Sequence, residues 1–146
     1  MERYKAREIV DSAIRGMLYA MDIQDWKIQI EYLGLEQDVQ ATCETDPRYK
    51  HATIKIDPYQ IDGRVRLLEV LRHELLHIFQ ARMVSYRKQV MALVPESVKP
   101  ALDVSYLDAI EEMVGHLEKF LDFCGLETDT IVRKSKAAAR KWRRKK

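Results

Sequence analysis

Val70-Leu-Arg-His-Glu-Leu-Leu-His-Ile-Phe79 constrains how the rest of the chain must be arranged. It is apolar at both flanks and at its two central residues, and no proline intrudes. Its polar members are His73, Glu74 and His77, with Arg72 as the one additional charge. The pattern predicts a helix. Residues four apart on a helix lie one turn above each other on a shared face, so the rings of His73 and His77 point the same way. Imidazole and carboxylate groups on an otherwise apolar helix are costly unless something pairs with them. The neighbouring elements therefore have to complete a polar site on this face.

Working outward, Asp62 is placed to cap this helix. The apolar period Val65, Leu68, Leu75, Leu76, Phe79 and Met83 carries it to about Arg82. Three predicted strands precede it. Trp26-Lys-Ile-Gln-Ile-Glu-Tyr-Leu33 alternates apolar and polar residues, as a half-buried strand does. Val39-Gln-Ala-Thr-Cys-Glu-Thr45 is the second. His51-Ala-Thr-Ile-Lys-Ile-Asp57 is the third, stopped by Pro58. Their short links predict an antiparallel meander, because parallel neighbours need long crossovers.

Before the strands, residues 2–21 carry Tyr4, Ile9 or Val10, Ala13, Ile14, Met17, Leu18 and Met21 at helical spacing. Beyond the His-bearing helix, residues 84–100 are less regular and are punctuated by Pro95 and Pro100. A last helix is expected from about Asp103 to Phe123, with Leu107, Ile110, Met113, Val114, Leu117 and Leu121 inward and Gly125 as its stop. The expected class is α+β: an N-terminal helix, a three-stranded and mainly antiparallel sheet, the His-bearing helix and a final helix rich in acids.

A chain of 146 residues supports one domain with one core. No apolar run approaches the ~18–20 residues of a membrane-spanning helix, and the start lacks the apolar segment of a signal peptide, so a cytoplasmic location without membrane contact is expected. Cys43 and Cys124 lack the spacing of a thiolate metal site, and both read as reduced, buried small residues. The net charge of +2 is unevenly spread. Nine Lys or Arg and no acid fall between Arg133 and Lys146, leaving residues 1–132 with a net charge of −7. The organisation read from this is a body of residues 1–132 and a basic tail of residues 133–146.

Two imidazoles a turn apart can both reach one tetrahedral zinc ion, at about 2.0–2.1 Å. Glu74 is one helical step round from His73. It can reach a water on the metal without taking a coordination position, and the metal acidifies that water so that the carboxylate can take its proton. This is the mechanical sense of an H-E-x-x-H helix. Glu74 is accordingly the expected catalytic base, with His73 and His77 as metal ligands.

The segment His73-Glu-Leu-Leu-His77 resembles the active helix of the zincin metallopeptidases. The order of elements resembles the smallest gluzincins, above all the short metallopeptidases of phages and prophages, in which a strand ending Ile-Asp-Pro precedes the active helix. Here that strand is Thr53-Ile-Lys-Ile-Asp-Pro58. The resemblance covers residues 26–124, and H-E-x-x-H is its one specific motif. It implies a zinc-dependent endopeptidase acting on a protein or peptide.

A catalytic zinc needs a third protein ligand and an open position. No histidine follows at the spacing of the three-histidine zincins, which points to a carboxylate. The segment Glu111-Glu-Met-Val114 resembles the ligand pattern of gluzincins and favours Glu112, with Glu111 and then Glu96 as alternatives. His116, a turn beyond Glu112, is a candidate for orienting a ligand or binding an oxyanion; Tyr86, Tyr106 and Asp108 are further candidates that no spacing selects. His51 reads as structural. The third strand is the candidate edge for pairing with extended substrate, as against an ordinary interior strand. Residues 133–146, with Trp142 among them, could bind nucleic acid or another polyanion, fold back on the acidic body, or simply be solvated. The alternative to a peptidase is a catalytically inactive zinc-binding scaffold or nucleic-acid-associated module using the tail.

Overall fold

A computed structural model describes residues 1–81, 87 and 89–123. Arg82, Met83, Tyr86, Cys124, Gly125 and the basic tail with Trp142 lie outside the described residues. The architecture is α+β. Helix α1 (Arg3–Ala20) leads into strands β1 (Lys27–Tyr32), β2 (Ala41–Asp46) and β3 (His51–Ile56). A 3₁₀ turn at Pro58–Gln60 precedes helix α2 (Gly63–Leu76), which continues as a second 3₁₀ turn at His77–Gln80. Helix α3 (Lys99–Phe123) follows. Among the described residues, no helix is long and apolar enough to cross a membrane.

The sheet is not a meander. Its order is β1-β3-β2, with β1 parallel to β3 and β2 antiparallel to β3. The long crossover that parallel neighbours need is present, because β2 itself lies within the connection from Tyr32 to His51. The link after β1 passes over one end of β3 and is pinned there: Leu33 N donates to Ile56 O at 3.1 Å, and Asp57 N donates to Gln40 O at 2.9 Å. The buried Asp57 accepts from Leu35 N and Tyr59 N, both at 3.0 Å. The Ile-Asp-Pro sequence thus ends the strand, anchors the crossing link and starts the turn that delivers the chain to α2.

Strand alternation sends Ala52, Ile54 and Ile56 of β3 to one face, where all three are fully buried. That face meets Ala6, Val10, Ala13 and Met17 of α1 and Leu67, Leu68, Leu71 and Leu75 of α2 in a single core. Each valine, leucine, isoleucine or methionine so buried contributes on the order of 1.5–3 kcal/mol from transfer out of water. Val65 and Phe79, expected inside, are exposed, because the inward stripe of α2 runs through Leu67, Leu71 and Leu75 instead. Tyr4, Leu107 and Met113 are exposed as well. Asp62 occupies the cap position of α2 without a side-chain cap bond. Gly63 follows at φ +80°, a backbone conformation that glycine adopts without steric cost. Helix α3 begins at Lys99, earlier than expected, because Pro100 falls in its first turn, where no backbone hydrogen bond is lost.

Candidate metal centre

The two histidines straddle a change of helix type. His73 is on the last turn of α2 and His77 opens the 3₁₀ turn, and their ring centroids are 5.0 Å apart with planes at 75°. Both present Nε2 to one carboxylate: Glu111 Oε2 lies 3.3 Å from His73, and Oε1 lies 3.5 Å from His77. One donor atom from each of His73, His77 and Glu111 falls within 4.8 Å of the others. Ligands on a tetrahedral zinc at about 2.1 Å stand roughly 3.4 Å apart, so the spacing of these donors fits such an ion. The donor set, two imidazoles and one carboxylate, also fits zinc.

The acid that meets the histidines is Glu111, not Glu112. Helix phase explains the difference. Among the described side chains of α3, Ile110 and Val114 are the buried ones, which fixes the side of the helix that packs inward. Glu111, Glu118 and Asp122, spaced by seven and four, form a stripe beside that face and toward α2. Glu112 is rotated a further step of about 100° and is exposed. His116 lies with it on the exposed side. Asp108 is exposed too, and Glu96 pairs with Lys99 on the surface.

Two contacts from α2 and its 3₁₀ extension hold α3 in this phase. Gln80 Nε2 donates to the carbonyl of Ile110 at 3.2 Å, one residue before Glu111. Arg72 Nη1 donates to Asp122 Oδ1 at 2.7 Å, three turns on. Arg72, Gln80, Glu118 and Asp122 were not singled out by sequence reasoning. The available signal was Arg72: a charge on an apolar helix needs an acid partner, and the stripe at 111, 118 and 122 could supply one.

Glu74 is buried beside the cluster. Burial, reinforced by the negative charges of Glu111 and Glu118, raises its carboxyl in the metal-free protein to about 8. Burial likewise lowers the His77 imidazole, against the pull of Glu111, and so favours its neutral, ligating form. Cys43 on β2 faces this region, and its thiol is pushed up to about 12 by burial and by Glu74. The sequence reading expected a reduced, buried small residue; Cys43 is a free thiol and only partly buried.

A cleft of about 930 Å³ joins these groups. It is lined by β2 from Ala41 to Asp46, by His73, Glu74 and His77, and by Tyr106, Leu107 and Glu111 of α3. His51 and Thr53 reach its margin. Because β3 is the central strand, it has no free edge for another chain. The edge beside the cleft belongs to β2.

Comparison with protein families, with curated proteins and with solved structures finds no match to this chain. The site's meaning therefore rests on its own chemistry.

Proposed function

We propose that the chain is a zinc-dependent metallopeptidase. The observation that carries this reading is the convergence of His73, His77 and Glu111 on one point, with the buried Glu74 beside it in an open cleft. A zinc ion held by these three side chains would supply Lewis acidity to a scissile carbonyl and to water. The remaining work belongs to the chain. An extended peptide pairs with the free edge of β2 through backbone hydrogen bonds, which lays its carbonyls along the cleft. Glu74 takes a proton from the attacking water as the new C–O bond forms, and returns it to the amide nitrogen as the C–N bond breaks.

The test is Glu74→Gln. This variant keeps the size of the side chain and leaves the three ligands in place, so it should retain about one zinc per chain. Casein hydrolysis should fall by a factor on the order of 10² or more. Wild-type protein without zinc, or equal cleavage by both proteins, overturns the proposal. Zinc in both and cleavage by neither would favour the inactive scaffold.

A further inference from the structure

We propose that Glu118, itself anchored by Arg72, is a positioning residue that fixes the imidazole of His73 with Nε2 toward the metal point. The inference rests on the metal-centre reading above. It concerns a residue that neither touches the metal point nor belongs to the H-E-x-x-H motif.

The ring of His73 lies between two carboxylates. Its Nε2 is 3.3 Å from Glu111, and its Nδ1 is 3.6 Å from Glu118 Oε2. A neutral imidazole carries one proton, and the acceptor beside each nitrogen decides which one holds it. In the metal-free protein both nitrogens face a carboxylate, Glu111 on the Nε2 side and Glu118 on the Nδ1 side; a ring that ligates through Nε2 carries its proton on Nδ1, facing Glu118. A carboxylate on the far nitrogen of a ligating histidine fixes both its tautomer and its orientation. The separation is a few tenths of an ångström beyond a hydrogen bond, a gap of the kind that closes when a site fills. Glu118 cannot serve as a ligand to the same ion, because it approaches the opposite edge of the ring.

Glu118 would not hold this place alone. Three acids, Glu74, Glu111 and Glu118, gather around the ring of His73 and the point it shares with His77. The compensating charge is Arg72, whose side chain is 8% exposed. A guanidinium this buried is costly unless paired. Its Nη1 is taken by Asp122 at 2.7 Å, while its Nη2 approaches Glu118 at 3.8 Å. The series Asp122, Arg72, Glu118, His73 therefore runs from the α3 surface into the site. The residue immediately before the first histidine thus acquires a role, which is to hold the acid that orients that histidine.

The experiment compares Glu118→Leu and Glu118→Gln with Glu112→Leu, which removes an exposed acid from the same helix. Zinc affinity is measured by competition with a chelator. The tautomers of His73 and His77 are read by nitrogen-15 NMR on metal-free protein at a pH where both rings are neutral. Glu118→Leu should weaken zinc roughly 10–100-fold and shift the tautomer balance of His73, but not of His77, toward the Nε2–H form. Glu118→Gln, which keeps an acceptor oxygen, should lose less. Glu112→Leu should change neither readout. Unchanged affinity in Glu118→Leu, an unmoved His73 tautomer, or equal changes at both histidines would overturn the assignment. If wild-type protein binds no zinc, the metallopeptidase reading fails on its own, and the tautomer measurement still decides the role of Glu118.

Discussion

Helices α2 and α3 supply the two halves of the site by different means. On α2 the ligands follow from local spacing: once the segment is helical, His73 and His77 must share a face. On α3 nothing local distinguishes Glu111 from Glu112. The choice is made by Ile110 and Val114 packing inward and by the ties from Gln80 and Arg72. A ligand pair on one continuous helical segment, α2 and its 3₁₀ extension, is thus a property of the sequence, whereas the third ligand is a property of how two helices meet.

The sharpest way to break this comparison is to exchange the neighbours. Glu111→Ala should reduce zinc affinity by more than the roughly 10–100-fold typical of an outer partner, as His77→Ala should. Glu112→Ala should leave it unchanged. Chelator competition on all three variants gives the ranking. The reverse order for the two acids would mean that α3 is turned by one residue, and the contacts of Gln80 and Arg72 would then be wrong as well.

The second contrast concerns charge. Glu74, on α2, is buried and raised to about 8 in the metal-free state. Its counterpart in the unfolded chain has an ordinary carboxyl pKa near 4.5. Between those values the folded protein binds more protons than the unfolded one, so stability falls as pH rises. The contribution is fully present below the unfolded value and is lost as pH climbs through the folded one. Chelator-treated protein should therefore show a melting temperature that declines from pH 5 to pH 8, and Glu74→Gln should flatten that decline. An unchanged slope in the variant would mean that Glu74 is solvated rather than buried.

Much of the fold was legible because burial imposes periods. The three expected strands and three expected helices lie where alternation and the helical repeat put them. The strand order was not legible. A short link between consecutive strands is equally compatible with pairing and with stepping over a third strand, and the hydrogen bonds that decide it, from Leu33 to Ile56 and from Asp57 to Gln40, join residues far apart in sequence. That error also moved the free edge from β2 to β3. In the site, His73, Glu74 and His77 could be named from the motif. Glu111, Glu118 and Arg72 could not be assigned together, because their relation crosses between helices.

The last contrast tests which face of each helix carries the fold. Leu71 of α2 is fully buried, while Leu107 of α3 is 53% exposed and lines the cleft, although the apolar period alone put it inside. Truncating a buried leucine removes its transfer energy and leaves a cavity that its neighbours fill only partly, so Leu71→Ala should cost about 2–5 kcal/mol. Leu107→Ala removes a side chain already half in water and should stay within about 0.5 kcal/mol. Urea unfolding of the metal-free forms measures both without a contribution from bound zinc, which would otherwise stabilise only the folded state. Comparable losses at the two positions would mean that α3 packs on the face holding Leu107. Glu111, one turn further along on the same face, would then turn inward with it instead of standing beside the packed face of Ile110 and Val114. Loss at Leu71 alone ties the position of the third ligand to the same packing that keeps Ile110 and Val114 inside.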